Sequence, residues 1–303
     1  MKRKFFFEYL SLGFFVIAAV AILLPHYLYI GINPNDLPPL PKKNDDITTQ
    51  DTIFAGCPAR VHTIRWRDYV GRNFDLTFSI CKTDYFDAAK NRNAVGFNSS
   101  GPFAREYDYA TLSKFDVPLL KNISSQLEEK AIQYQLSAPE KMAMVISMVQ
   151  NIEYALVHPQ SCESIRAAYR QTPNEDDFMY QWHFNVPPYT PNQGRQINLC
   201  EENIDKFGVL SPLEFMYLLQ GDCDSRTTLL YTLLSEMGFK VAILNSDVKR
   251  HSILGVQTNA YDGIHFQDDW YGARYLVWET TTSLAPGVFP NFKNSEWKIV
   301  LKN

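Results

Sequence analysis

Between Cys223 and Thr280 the apolar pattern changes its period once, and that change limits what the chain can fold into. From Cys223 to about Glu236 the residues Leu229, Leu230, Leu233 and Leu234, with Met237 just beyond, fall on one helical face. Gly238 then suits a left-handed exit. Three strand-like runs follow: Val241 to Asn245, His251 to Gln257 and Tyr275 to Thr280. A helix with one apolar stripe must bury it, and the strands that follow supply the surface. The expected fold class is α+β, with a helix packed on an antiparallel sheet.

Upstream, Val61-His62-Thr63-Ile64-Arg65-Trp66 and Phe74-Asp75-Leu76-Thr77-Phe78-Ser79-Ile80 alternate apolar and polar residues around Gly71-Arg72-Asn73. That predicts a hairpin inside a β-like stretch from Cys57 to about Asp87. Ser137-Ala138-Pro139-Glu140 and Ser211-Pro212-Leu213-Glu214 each read as a capping box with proline in the first turn. The first opens a helix with Met142, Val145, Ile146, Val149 and Ile152 on one face, and the second a short helix ending near Gln220. Val157 to Asp205 is irregular and rich in proline, asparagine and glutamine, as functional or flexible segments are.

Lys2, Arg3 and Lys4 precede an apolar run from about Tyr9 to Ile32, broken only by Pro25 and His26. About 20 apolar residues suffice to cross a bilayer, and the positive flank stays in the cytoplasm. The expectation is a single-pass anchor in the inner (cytoplasmic) membrane, with the body in the periplasm or outside the cell. A leader cleaved near Ala19-Val20-Ala21 gives the body the same address; a buried core helix is the bland alternative. Asn33 to Asp51, with Pro38, Pro39 and Pro41, reads as an extended spacer. The expected organisation is a stub and transmembrane anchor over 1–32, a linker over 33–51, a β-rich subdomain over 52–130 and an α+β domain over 131–303.

Disulfides persist outside the cytoplasm. Cys57, Cys81, Cys162, Cys200 and Cys223 are an odd set, so one thiol is left over. Spacing does not give connectivity. Pairing neighbours joins Cys57 to Cys81 and Cys162 to Cys200 and leaves Cys223; the bland alternative is five reduced, buried thiols. With 46% hydrophobic and 14% aromatic residues the chain belongs with packed globules. A net charge of −4, with no basic block beyond the first four residues, leaves no electrostatic basis for a nucleic-acid partner.

Cys223 opens the predicted helix, where unpaired backbone N–H groups and the helix dipole favour a thiolate. His251 opens one strand 28 residues later, and Glu279 ends the next, 28 residues further on. If those strands are adjacent and antiparallel, the start of one and the end of the other meet at one sheet edge. Nucleophile, base and orienting carboxylate would then be neighbours. The bland reading is a core cysteine and a surface histidine, since many chains of this length hold the three in that order. Asp222 and Asp224 bracket the cysteine, where their charge opposes a thiolate. Asp222 reads as a helix cap, and the pair also reads as an oxygen-rich calcium site; no cofactor is required. Gln220 and Trp182 carry amide and indole N–H donors suited to an oxyanion. His62, His158, His183 and His265 show no ligand spacing and read as incidental, and Glu175-Asp176-Asp177, Asp268 and Asp269 as solvated loop charge.

Ser211 to Leu244, SPLEFMYLLQGDCDSRTTLLYTLLSEMGFKVAIL, resembles the core of the transglutaminase-like superfamily: a short helix, Gly-Asp-Cys-Asp, a leucine-rich helix, a glycine and a strand. His251-Ser-Ile-Leu-Gly-Val resembles the family's histidine strand, Trp278-Glu279-Thr-Thr its acid strand, and Met148-Val-Gln-Asn-Ile-Glu-Tyr154 the helix before the core. The matches span about residues 135–285, and bacterial transglutaminase-like cysteine peptidases are the cousins they resemble most. The resemblance implies a papain/transglutaminase-like core with Cys223 as nucleophile, His251 as base and Glu279 as orienter, where the family often has aspartate. It implies a cysteine peptidase or amidase that passes an acyl-thioester to water, on a protein or peptide of the cell envelope. Transamidation by a lysine amine uses the same machinery. A non-catalytic binding or assembly module that kept the fold is the remaining expectation.

Overall fold

The computed structural model describes residues 47–95, 104–155, 157, 208–268 and 272–303. The apolar run over 9–32, Cys162, Cys200, Trp182, His158, His183 and the acidic run 175–177 lie outside them. Among the described residues no helix is long and apolar enough to cross a membrane.

The chain starts with a meander: β1 (Ile47–Phe54), β2 (Cys57–Arg67) and β3 (Asn73–Cys81) form an antiparallel sheet in that order. Alternation sets Ile64 and Trp66 of β2 and Phe74, Leu76, Phe78 and Ile80 of β3 inward. The expected hairpin is therefore present, with β2 and β3 paired from Ala59↔Cys81 to Arg67↔Asn73. Two expectations need correction. The linker was placed over 33–51, yet Ile47 to Asp51 pair with β2 as part of β1. That strand is Thr-rich and exposed at seven of its eight positions, so no alternation marks it. The second concerns Lys82 to Asp87, which belong to a helix rather than to the β-like stretch.

That helix, α1 (Lys82–Val95), leads to α2 (Ala104–Gln133), which carries Pro118 inside it. Residues 52–130 are thus half helical, and the boundary at 130 falls in the last turn of α2. No core is divided there: Ile64, Leu76, Tyr85, Leu112, Leu127, Met144, Phe215, Leu230 and Trp278 belong to one buried cluster. Its wholly buried Arg92–Glu214 pair joins α1 to α4, with Nε–Oε2 at 2.6 Å and Nη2–Oε1 at 3.1 Å. Removing one partner of such a pair costs about 3–5 kcal/mol.

The remaining helices follow the sequence closely. α3 (Ala138–Asn151) opens on Ser137, whose N–H and hydroxyl both donate to Glu140. α4 (Pro212–Leu218) opens on the reciprocal box of Ser211 and Glu214. α5 (Cys223–Glu236) spans the predicted residues, and Gly238 takes the left-handed exit at φ 81°.

The second sheet holds β4 (Val241–Ser246), β5 (His251–Val256), β6 (His265–Gln267), β7 (Arg274–Trp278) and β8 (Lys298–Lys302) in the order β6-β7-β5-β4-β8, all antiparallel. α5 packs on one face through Leu229, Leu230, Ile243, Leu254 and Leu276. Ala242, Leu244, Ile253, Tyr275, Val277 and Trp297 form a smaller cluster on the other face. The fold is α+β, with the helix on an antiparallel sheet as the period change predicts.

Candidate thiol site

Three segments meet at the N-terminus of α5: the connection from α4, the start of β5 and the end of β7. The connection is tight. Leu219 leaves α4 in the left-handed region at φ 50°, and Gly221 lies flat against Phe215, where a Cβ would sit 2.5 Å from the ring. The Gly221 carbonyl takes the Ala155 N–H at 3.0 Å. Asp222 then caps the helix. Its Oδ1 accepts from the Ser225 N–H at 3.1 Å and hydroxyl at 2.8 Å, and its Oδ2 from the Val157 N–H at 3.3 Å.

Cys223, the first residue of α5, is buried at 7% exposure and carries a free thiol, while Cys57 and Cys81 are joined in a disulfide. Its neighbour Asp224 accepts from the Ser252 hydroxyl, which sets the start of α5 against the first two residues of β5. His251, the first of these, donates Nε2–H to Glu279 Oε2 at 2.9 Å, since a carboxylate can only accept. Nδ1 of the neutral ring is then the basic nitrogen. Glu279 is held in turn: its Oε1 accepts from Thr280 N–H and Thr281 N–H at 2.8 Å each and from the Thr281 hydroxyl at 2.7 Å. Phe289 and Trp297 flank the imidazole at 6.3 and 6.2 Å between ring centres. His251 and Glu279 meet because β5 and β7 pair antiparallel, with Leu254 opposite Trp278. Among the described residues no hydrogen bond joins Cys223 to His251.

The electrostatics divide the site. Burial pushes the Cys223 thiol well up, and Asp224 and Asp222 push it further; the Ser252 N–H opposes them. The helix terminus was expected to lower it. Burial beside two carboxylates outweighs that effect. Burial depresses His251, but the Glu279 charge and hydrogen bond outweigh it and raise the imidazole above its ordinary value of 6.5. Burial likewise pushes Glu279 up, and the histidine and Thr281 donors bring it below its ordinary value.

Asp224 is half-buried and bonded to protein donors. Its Oδ1 accepts from the Tyr109 hydroxyl at 2.6 Å and from Ser252, whose oxygen also meets Asn245 Oδ1 at 2.6 Å. Asp222 and Asp224 therefore both face protein donors: both oxygens of Asp222 and Oδ1 of Asp224 accept N–H or O–H hydrogen bonds. Gln220 is half-buried three residues before the thiol, within the pinned turn.

Several residues that sequence reasoning passed over matter here. Arg226 is wholly buried and, among the described residues, donates only to main-chain carbonyls. Its signal was visible: positions 226, 229, 230 and 233 share a helical face, so a cation stands on an apolar stripe. Gln150 reaches the carbonyls of Glu279 at 2.7 Å and Leu284 at 3.1 Å, and accepts from the Tyr69 hydroxyl at 2.5 Å. His62 is not incidental. It is 1% exposed, with Nε2 at 2.9 Å from the Tyr217 carbonyl, and it ties β2 to the end of α4. Asp268 is likewise buried, at 6% exposure, with the Lys302 ammonium at 3.2 Å.

Comparison with family models, with characterised proteins and with solved structures gives no match.

Proposed function

We propose that the chain is a transglutaminase-like cysteine acyltransferase that works as a hydrolase, with Cys223 as nucleophile, His251 as general base and Glu279 as its orienter. The observation that carries this reading is the His251–Glu279 hydrogen bond at 2.9 Å beside a free thiol whose neighbour Asp224 accepts from Ser252, the residue after His251. Nδ1 of His251 takes the thiol proton as Sγ attacks a peptide or amide carbonyl. The imidazolium then protonates the leaving amine, and an acyl-thioester remains. Water, deprotonated by the same nitrogen, resolves it to a carboxylic acid and the free thiol; a lysine amine in place of water gives transamidation. Gln220 and the N–H groups that open α5 supply donors for the oxyanion. In a free enzyme the nucleophile–base contact is often long and tightens with substrate, which accommodates the missing Cys223–His251 bond.

The remaining parts of the proposal concern place. The run over 9–32 anchors the protein in the inner membrane, the body stands in the periplasm or outside the cell, and the substrate is a protein or peptide of the envelope. The Cys57–Cys81 disulfide supports that address. A second reading, a non-catalytic assembly module, draws on the raised Cys223 thiol.

An activated acyl donor separates the two. With p-nitrophenyl acetate, the first reading gives an acetyl-thioester on Cys223 by intact mass and steady release of p-nitrophenolate. Cys223→Ala loses both and melts like the parent. Equal turnover by Cys223→Ala would remove the assignment, and no adduct on the parent would favour the assembly module.

A further inference from the structure

We propose that Arg226 is a positioning residue that holds the Cys223 arm and the Glu279 arm at a fixed spacing, and that it is the buried counter-charge against which the thiolate forms. This rests on the thiol reading above and assigns a part of the site outside the three reacting side chains.

Each nitrogen of the guanidinium meets a main-chain carbonyl. Nε donates to Gly221 at 3.1 Å, Nη1 to Val149 at 2.7 Å and Thr280 at 3.4 Å, and Nη2 to Ile152. Gly221 lies two residues before the nucleophile, and Thr280 is the residue after the acid. Val149 lies in the last turn of α3 and Ile152 is its C-cap, where the dipole is negative; the Val149 carbonyl also takes the Ile152 N–H at 3.2 Å. One side chain thus anchors to a helix terminus and from there grips both catalytic arms. The requirement is geometric: a guanidinium presents its donors in a rigid planar fork, whereas an ammonium is a point charge on a flexible stem. Gln150, also from α3, holds the Glu279 and Leu284 carbonyls and so grips the acid arm a second time.

The charge has a role of its own. Among the described residues Arg226 makes no ion pair, yet Tyr154, Asp222, Glu279 and Cys223 all act to keep it protonated against its burial. The effect is mutual, so the cation favours the ionised forms of those same groups. The charged and titratable groups around the thiol are Asp222, Asp224 and Arg226 on α5, Tyr109 on α2, Tyr154 after α3, His251 on β5 and Glu279 after β7. Arg226 is the permanent cation of the set.

Charge and fork separate experimentally. The probes are iodoacetamide, for the pH dependence of Cys223 alkylation, and p-nitrophenyl acetate, for kcat and KM. Arg226→Lys keeps the charge and loses the fork. Its alkylation profile should stay close to that of the parent while kcat falls roughly 10- to 100-fold at unchanged KM. Arg226→Met loses both, and its alkylation midpoint should rise by about one pH unit or more. Parent-like profiles and kcat in folded variants would overturn the proposal, as a packing role moves only the melting temperature. If neither variant folds, Gln150→Met decides the clamp: lowered kcat at unchanged KM supports it, and parental kcat overturns it. The alkylation arm needs no substrate, so it reports on Arg226 even if Cys223→Ala disproves the proposed reaction.

Discussion

At the scale of single residues the pair His251 and Glu279 sets the pH at which the site can act. The base must be neutral to take the thiol proton, and Glu279 raises its titration above 6.5. Activity should therefore rise with pH along a limb whose midpoint lies above the ordinary histidine value. Glu279→Gln keeps a side chain that can accept from Nε2–H but removes the charge, so the midpoint should move down even as kcat falls; a pH–rate profile of both proteins checks the direction. An unmoved midpoint would mean that the carboxylate does not govern the base. Much of this was legible in the sequence, because a strand start and a strand end 28 residues apart have one simple antiparallel solution. The thiol's own titration was not. It depends on how deeply the thiol is buried beside the Asp224 and Asp222 charges, and burial is a property of the assembled core rather than of neighbours in the chain.

At the scale of elements, the α4–α5 connection delivers the thiol. Leu219 occupies a left-handed conformation that non-glycine residues enter at a cost, and Gly221 leaves room for Phe215. Gly221→Ala places a methyl 2.5 Å from that ring, and the displaced turn should lower stability by about 1–3 kcal/mol. Acylation of Cys223 by p-nitrophenyl acetate should slow as well; an unchanged denaturation midpoint would show that the turn relaxes freely. The sequence marked this connection through the Ser211–Glu214 capping box and the Gly-Asp-Cys-Asp turn. It did not mark α1 and α2, whose buried residues Tyr85, Ala88, Ala89 and Arg92, then Leu112, Asp116, Leu120 and Ile123, mix charge into the inner face and blur any stripe. Nor did it mark β1, which pairs with β2 but is exposed at seven of its eight positions.

At the scale of the whole molecule, two buried groups give folding opposite responses to pH. His62, bound to the Tyr217 carbonyl, is driven by burial down to about 4. Its contribution is complete above the unfolded value of about 6.5 and is lost as pH falls toward 4. Asp116, on α2, accepts the Leu213 N–H at 2.7 Å and is driven by burial and the Glu214 charge up to about 7. Its contribution is complete below about 3.9 and is lost as pH rises through 7. Between roughly 4 and 6.5 the two slopes oppose each other. Asp116→Asn, which keeps the acceptor and cannot ionise, should unmask the histidine: stability should climb with pH across that window more steeply than in the parent. Above pH 7 the variant should be the more stable protein, by on the order of 2 kcal/mol. Urea melts at three pH values test this, and parallel curves would refute it. No sequence pattern announces such compensation, since residues 62 and 116 meet only through their separate contacts with α4.

The disulfide bears on the order of events when the chain is made. Cys57 and Cys81 lie at the two ends of the β2–β3 hairpin, a unit complete before Cys223 is translated. An oxidant that meets the chain from its N-terminal side can close that bridge before the nucleophile emerges. The thiol then arrives to find both of those sulfurs already committed, and it enters the core unpaired.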